Sequence, residues 1–325
     1  MSFYKELERR SVSVPKTIIF PESDDPRIIK AVKTILRNRS AKVILIQKEK
    51  AKEIPIKPDR NLTIIDQSFS SQFLDEYHFI RLKKKPDYRR TDSEKEIRDP
   101  LTFSCMLLKN NYGEGIIAGS VYSTSEVLKN AITIIGTAKG NKTVSSFFLF
   151  DFPSSVRFKN RVFAYADCGV IPSPDALQLS DIAIQTSANF RSLTGKKPRV
   201  AFLSFSTKGS AKDPSLDKIL EAYKITKKRK PELICEAELQ FDAAFVPEVA
   251  NRKNPGGIIR GDANVFIFPD LNSGNISYKI TERIGGANAT GPVIQGLAKP
   301  VMDLSRGCSE KDIVNMTSVL INLIK

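Results

Sequence analysis

The sequence predicts an α/β fold built on largely parallel sheets. Short β-branched runs, apolar along their whole length, read as strands buried on both faces, and segments with apolar residues at helical spacing lie between them. Length agrees: 325 residues with 41% apolar content can bury a sizeable core and are enough for two domains of ordinary size.

Taken along the chain, the strand runs are residues 16–20, 42–46, 115–118, 200–203 and 265–268. Asp24-Asp25-Pro26 opens the first helical pattern, with an aspartate cap, proline in the first turn, and Ile28, Ile29, Val32 and Ile35 on one face. Val127, Leu128 and Ile132 form a second such face after the third strand. Ile313, Val314, Met316, Val319, Leu320 and Leu323 form another near the C-terminus. Strands alternating with helices imply right-handed crossovers. In such sheets ligands bind beyond the carboxyl ends of strands, which makes the segments following each strand the places to search. No internal repeat or low-complexity linker marks a boundary; the best local breaks are residues 151–160 and 285–292.

Several function classes are excluded early. The single histidine, His78, sits apart from any serine or cysteine elbow and reads as a helix-face residue, which removes Ser-His-Asp and Cys-His chemistry. Cys105, Cys168, Cys235 and Cys308 are widely spaced without a C-x-x-C pair, so reduced, buried thiols are expected, with no disulfide framework, no metal site and no tightly bound cofactor. No apolar run approaches the roughly 18 residues of a membrane span, and the N-terminus lacks the layout of a secretory signal; the expected location is cytoplasmic, with no membrane partner. A net charge of +15 raises nucleic-acid binding, yet the basic runs 81–85 and 227–230 have no interleaved aromatics and read as solvated faces, so no nucleic-acid partner is expected. The charge still suits polyanionic small molecules.

Three post-strand segments are rich in small or hydroxylated residues. Residues 119–125 carry Ser123 and Thr124 at a helix start, where free amides and hydroxyls suit an oxyanion, although helix capping by Ser123 explains them equally. Residues 206–211 add Lys208 to Ser206 and Thr207; the order is wrong for a nucleotide-hydrolysing loop, but a lysine among hydroxyls at a strand end suits a phosphate contact. Residues 268–275 include Asn272, which could bind substrate or cap the following helix. The most informative segment is the turn running from Asp303 to Asp312. It gathers the hydroxyl of Ser305, the guanidinium of Arg306 and the carboxylate of Asp312, the parts needed to generate and steer an anionic nucleophile. Ser309-Glu310-Lys311-Asp312 also fits a capping box.

In order, residues 20–27, 119–124, 205–211, 236–244, 268–275 and 291–312 resemble the phosphate acetyl/butyryltransferase family. The resemblance implies two α/β domains of isocitrate/isopropylmalate dehydrogenase-like architecture, residues 1–144 with 291–325 and residues 145–290. It further implies an active site in the interdomain cleft, a homodimer joined through the second domain, and reversible acetyl transfer between acetyl phosphate and coenzyme A. Coenzyme A, acetyl-CoA, acetyl phosphate and phosphate are then substrates. By position, Asp312 takes the place of the base for the thiol, Ser305 of a hydroxyl near the sulfur, Arg306 of a charge stabiliser, and Arg81 of an arginine associated with coenzyme A. The family pattern commonly has a substrate-contacting arginine where this chain has Lys129, which keeps the charge and loses the guanidinium fork. A butyryl-specific enzyme and a noncatalytic polyanion-binding relative remain the alternatives.

Overall fold

In the computed structural model, residues 3–49, 52–152, 158 and 161–324 are described. They divide into two compact units, Phe3–Gly140 with Leu297–Lys325, and Asn141–Gly296. The divisions fall after Gly140 and Gly296, a few residues from the expected boundaries. Most of the expected break at 151–160 lies outside the described residues. The expected break at 285–292 runs into a strand, because Asn288–Gln295 pairs antiparallel with Ser145–Asp151.

The first unit holds a five-stranded, wholly parallel sheet, with strands numbered along the chain: β1 (Thr17–Phe20), β2 (Lys42–Gln47), β3 (Leu62–Asp66), β4 (Gly115–Ala118) and, from the returning C-terminal segment, β11 (Val301–Asp303). Their spatial order is β11-β4-β1-β2-β3. The near-continuous apolar character of β1, β2 and β4 follows from helices covering both faces. On one face the helix Pro100–Lys109 places Leu101, Phe103, Met106 and Leu107 against Ile19, Ile44 and Ile116. The C-terminal helix Glu310–Leu323 packs against β4 and the helix Pro26–Asn38. Asp25 caps that latter helix by accepting from the Arg27 amide at 2.8 Å, with Pro26 in its first turn, as the sequence predicts. The apolar face expected from Val127, Leu128 and Ile132 is only partly realised: the helix Thr124–Asn130 passes into a π-helical turn, Ala131–Ile135, which buries Ala131 and Ile134 and leaves Ile132 exposed.

The second unit holds β5 (Ser145–Asp151), β6 (Val162–Ala166), β7 (Arg199–Leu203), β8 (Ile234–Leu239), β9 (Val265–Ile267) and β10 (Asn288–Gln295), in the order β10-β5-β6-β9-β7-β8. Pairing is parallel from β6 to β8 and antiparallel along the β10-β5-β6 side. Its core is aromatic: Phe150 meets Tyr165 at 4.5 Å between ring centroids, and Phe148 stacks on Tyr278 at 4.1 Å. All four cysteines are free and buried, as expected. His78 lies on the helix Leu74–Lys84 with Nδ1 2.9 Å from Ser93 Oγ. Among the described residues no helix is long and apolar enough to cross a membrane, and no cluster of three or more His, Cys, Asp or Glu could hold a metal.

Candidate active site

The carboxyl ends of β1, β4 and β11 meet in the first unit, and a buried carboxylate organises them. Glu22, just past β1 and 1% exposed, accepts from Ser120 N and Oγ at 3.0 and 2.9 Å through one oxygen, and from the Val121 and Tyr122 amides at 2.7 and 2.8 Å through the other. The post-β4 amides expected to be free for an oxyanion are therefore occupied from within the chain. Ser123 is likewise a cap, in a reciprocal box with Glu126. Gly119 has a φ of +100°, and a Cβ there would come 2.3 Å from Asp303 Oδ1, which requires glycine at this crossing.

Arg27 ties this loop to the C-terminal turn. Its Nη2 donates to Asp25 Oδ2 at 2.7 Å and to the Ser120 carbonyl at 2.8 Å, while Nη1 donates to the carbonyls of Arg306 at 2.7 Å and Cys308 at 3.0 Å. The turn is thus held by its backbone, and its side chains are left outward. Ser305, Arg306 and Asp312 are all exposed. Ser305 Oγ accepts from the Gly307 amide at 3.2 Å, so its hydroxyl hydrogen is available to a ligand. The Arg306 guanidinium makes no hydrogen bond or ion pair among the described residues. Asp312 closes the predicted capping box: Oδ2 accepts from Ser309 N at 2.9 Å and Ser309 Oγ at 2.8 Å. Oδ1 makes no hydrogen bond among the described residues, so one carboxylate both caps the helix and keeps an oxygen for a proton.

Two further groups sit under the turn. Cys308 is buried 3.8 Å from Arg27 Nη1, and burial pushes its thiol up to about 11 despite that cation, which makes it a poor nucleophile. Asp303, at the end of β11 and 1% exposed, accepts from Thr124 Oγ1 at 2.6 Å. Burial pushes its carboxyl up to about 6; the Thr124 hydrogen bond and Arg306 pull the other way, and Glu22 adds to the rise.

Arg81 and Lys129 come together on one cavity of about 260 Å³ in the first unit, with Tyr77, Glu96, Asp99 and Glu126 among its lining. Arg81 is held over the Tyr88 ring, 4.3 Å from its centroid, with Nε 3.4 Å from Glu96. Lys129 is exposed, with no ion pair among the described residues.

In the second unit Ser206 and Thr207 are buried and committed to their own loop. Ser206 Oγ and the Gly209 amide each donate to Glu238 Oε1 at 2.7 Å, and Thr207 Oγ1 accepts from the Gln240 amide at 3.0 Å. Lys208 Nζ pairs with Glu236 at 3.0 Å and donates to the Ala237 carbonyl at 3.2 Å. Asn272 is exposed in the first turn of the helix Leu271–Arg283, whose cap is Asp270, accepting from the Ser273 amide at 2.8 Å.

The model of the family described as phosphate acetyl/butaryl transferase matches residues 2–321. The chain belongs to this family. It is 44% identical over 322 residues to the phosphate acetyltransferase of Acetivibrio thermocellus, covering 98% of this chain and 97% of that one. A phosphotransacetylase from Streptococcus pyogenes superposes with a TM-score of 0.90 at 34% identity, over 99% of this chain and 98% of that one. A putative 4-hydroxythreonine-4-phosphate dehydrogenase from Salmonella typhimurium shares the fold alone, with a TM-score of 0.53 at 9% identity over 94% of this chain and 99% of that one.

In this phosphate acetyl/butaryl transferase family member, Ser305, Arg306 and Asp312 face outward, whereas the candidates Ser206 and Thr207 are buried. Motif and spacing alone assign no role to Glu22, Arg27 or Asp303. For Glu22 and Asp303 the signal is positional, since they lie just past β1 and at the end of β11, while Arg27 stands in the first turn of the helix that follows β1.

Proposed function

We propose that this chain transfers an acetyl group reversibly between acetyl phosphate and coenzyme A. The observation that carries the assignment is the Ser305–Asp312 turn, pinned through its carbonyls by Arg27 with a hydroxyl, a guanidinium and a carboxylate oxygen left free, in a chain whose full-length relatives are named phosphate acetyltransferases.

Moving a proton from an ordinary thiol, pKa ~8.5, to an ordinary aspartate, ~3.9, is uphill by roughly 6 kcal/mol. The site closes that gap from the thiol side. Arg306 and the Ser305 hydroxyl stabilise the coenzyme A thiolate, and Asp312 Oδ1 accepts the proton while Oδ2 keeps the cap. The thiolate attacks the acetyl carbonyl of acetyl phosphate, a C–S bond replaces the C–O bond, and phosphate leaves with the electron pair. No acyl-enzyme is needed, in keeping with Cys308, whose thiol is both buried and pushed up. Arg81 and Lys129 supply cations for coenzyme A, and Thr124 a hydroxyl for the phosphate. In the second unit, Lys208 and Asn272 are proposed as substrate contacts, Lys208 by exchanging Glu236 for a phosphate, with Ser206 and Thr207 shaping the loop that carries Lys208.

The working enzyme is cytoplasmic and a homodimer joined through its second unit. Supporting this, Ile276, Ile280 and Ile284 lie one helical turn apart at the helix Leu271–Arg283 and its C-cap and are 58%, 52% and 84% exposed. A monomeric mass by light scattering at micromolar concentration refutes the dimer.

Thiol release from acetyl-CoA in the presence of phosphate tests the assignment, with propionyl- and butyryl-CoA run beside it. Acetyl-CoA is expected to be used best. One methylene in an apolar pocket is worth only ~1 to 3 kcal/mol, so propionyl-CoA should still react measurably. Absence of thiol release with all three, or ping-pong kinetics, overturns the assignment or its direct-transfer step respectively.

A further inference from the structure

We propose that Asp303 is a positioning residue for oxyanion binding: by holding or lacking a proton it decides whether Thr124 spends its hydroxyl hydrogen inward or offers it to a phosphate-bearing ligand. The inference rests on Thr124 contacting the phosphate of the substrate.

The geometry leaves two hydrogen-bonding states. Asp303 Oδ2 lies 2.6 Å from Thr124 Oγ1, and Oδ1 is buried with no hydrogen-bond partner, set against Gly119 where a Cβ would intrude to 2.3 Å. Thr124 itself is exposed in the first turn of the helix Thr124–Asn130. An ionised carboxylate only accepts, so it takes the single hydrogen of Thr124, which then shows outward only lone pairs that repel a phosphate oxygen. With a proton from solvent on Oδ2, Asp303 becomes the donor and Thr124 Oγ1 the acceptor. The threonine hydrogen is then released outward. Oδ1 becomes a neutral carbonyl oxygen, whose lack of a partner costs less than that of a charged one.

The surroundings place this exchange within reach of neutral pH. The charged groups facing Asp303 are Glu22 from the segment after β1 and Arg306 from the turn after β11, with opposite effects; burial dominates, and the carboxyl titrates at about 6. The adjoining helix meets it with the Thr124 hydroxyl, while its charged side chains, Glu126 and Lys129, are exposed. A doubly charged anion arriving beside Asp303 favours the protonated form further, so binding and proton uptake are linked.

Sulfate is the probe, because it keeps its double charge from pH 5 to 8. Its affinity for the full chain is measured by calorimetry in two buffers of different ionisation enthalpy. A site that binds only when a group titrating at about 6 is protonated loses about tenfold in affinity from pH 5 to pH 7 and takes up close to one proton at the higher pH. Asp303→Asn has no proton to gain or lose near pH 6 and can turn its amide N–H toward Thr124, so the slope and the uptake should vanish while sulfate still binds. Thr124→Val, at an exposed position, should weaken binding several-fold at pH 5 and abolish the slope, and it carries the test should Asp303→Asn fail to fold. A structural role for Asp303 would lower the melting temperature and leave the pH dependence in place. A slope unchanged in Asp303→Asn, or affinity and slope both retained in Thr124→Val, overturns the proposal. Loss of the acetyl-transfer assignment is read separately, from thiol release with acetyl-CoA and phosphate.

Discussion

Asp312→Asn separates capping from catalysis because the two roles differ in magnitude. As a cap, Asp312 accepts from Ser309 N and Oγ through one oxygen on an exposed helix end. Asparagine keeps an acceptor oxygen there, and the lost charge at the helix N-terminus is worth about 1 kcal/mol or less. The expected shift in melting temperature is then no more than roughly 2–4 °C. As a proton acceptor, removing the carboxylate should cut turnover by ~10²–10⁴, about 3 to 5 kcal/mol. The assay is thiol release from acetyl-CoA and phosphate, or its reverse, followed from pH 7 to 9 beside thermal unfolding. In the direction that consumes coenzyme A, the deficit of the variant should shrink as pH approaches the thiol's own ~8.5, where solvent hydroxide supplies the thiolate. Full turnover with only a lowered melting temperature would refute the catalytic role and leave Asp312 as a cap. A deficit constant across that pH range would refute proton acceptance specifically.

Two further substitutions probe what surrounds the turn. Glu22→Gln replaces one acceptor oxygen by an amide nitrogen that must face two of the four donors, and with charge-assisted bonds at about 1.5–3 kcal/mol each the loss should reach about 3 kcal/mol or more in denaturant titration; a midpoint like that of the parent would show that these bonds do not organise the loop. Lys129→Arg restores a planar fork beside Arg81 on their shared cavity and should lower the Michaelis constant for coenzyme A or acetyl-CoA several-fold with little change in turnover. No change in either constant removes Lys129 from the substrate site.

Much of the first unit is legible because its strands are buried on both faces and their helices begin at recognisable caps. Residues 115–118 form β4 as predicted, and the Asp25-Pro26 start holds. The antiparallel side of the second sheet is not legible in the same way. β10 contains Gly291 and Pro292, which read as a break, and the register of β10 on β5 shifts between Thr290 and Val293 to accommodate them. β5 is a run of phenylalanines and serines, whose burial depends on β6 and β10 beside it. At the site, motif and spacing single out solvent-facing residues such as Ser305, Arg306 and Asp312 together with the buried Ser206 and Thr207. They do not disclose the partners of Ser206 or Lys208, because Glu238 and Glu236 are acceptors that become specific only through geometry, whereas Glu126 stands at capping-box spacing from Ser123.

The loops of both units follow one physical rule that the composition conceals. A chain with a net charge of +15 would seem to bind anions through its glycine- and hydroxyl-rich post-strand loops, yet those loops already enclose anions of their own. Glu22 fills the loop after β4. Asp167, 2% exposed, accepts from Ser146 Oγ and from the amides of Gly169 and Ile171, and Glu238 does the same work for the loop after β7. A backbone nest occupied by a buried carboxylate is rigid and unavailable, since displacing the carboxylate would strand a charge in a low-dielectric interior. On the proposed function, substrate phosphate is therefore met by a side chain standing on these rigid loops, the Thr124 hydroxyl, and not by the backbone amides within them. This is why Asp303 matters more than its burial suggests. Among the described residues it is the one buried carboxylate of the first unit that holds an outward-facing hydroxyl by its only hydrogen, so a single proton there changes what the loop offers to an anion without moving the backbone.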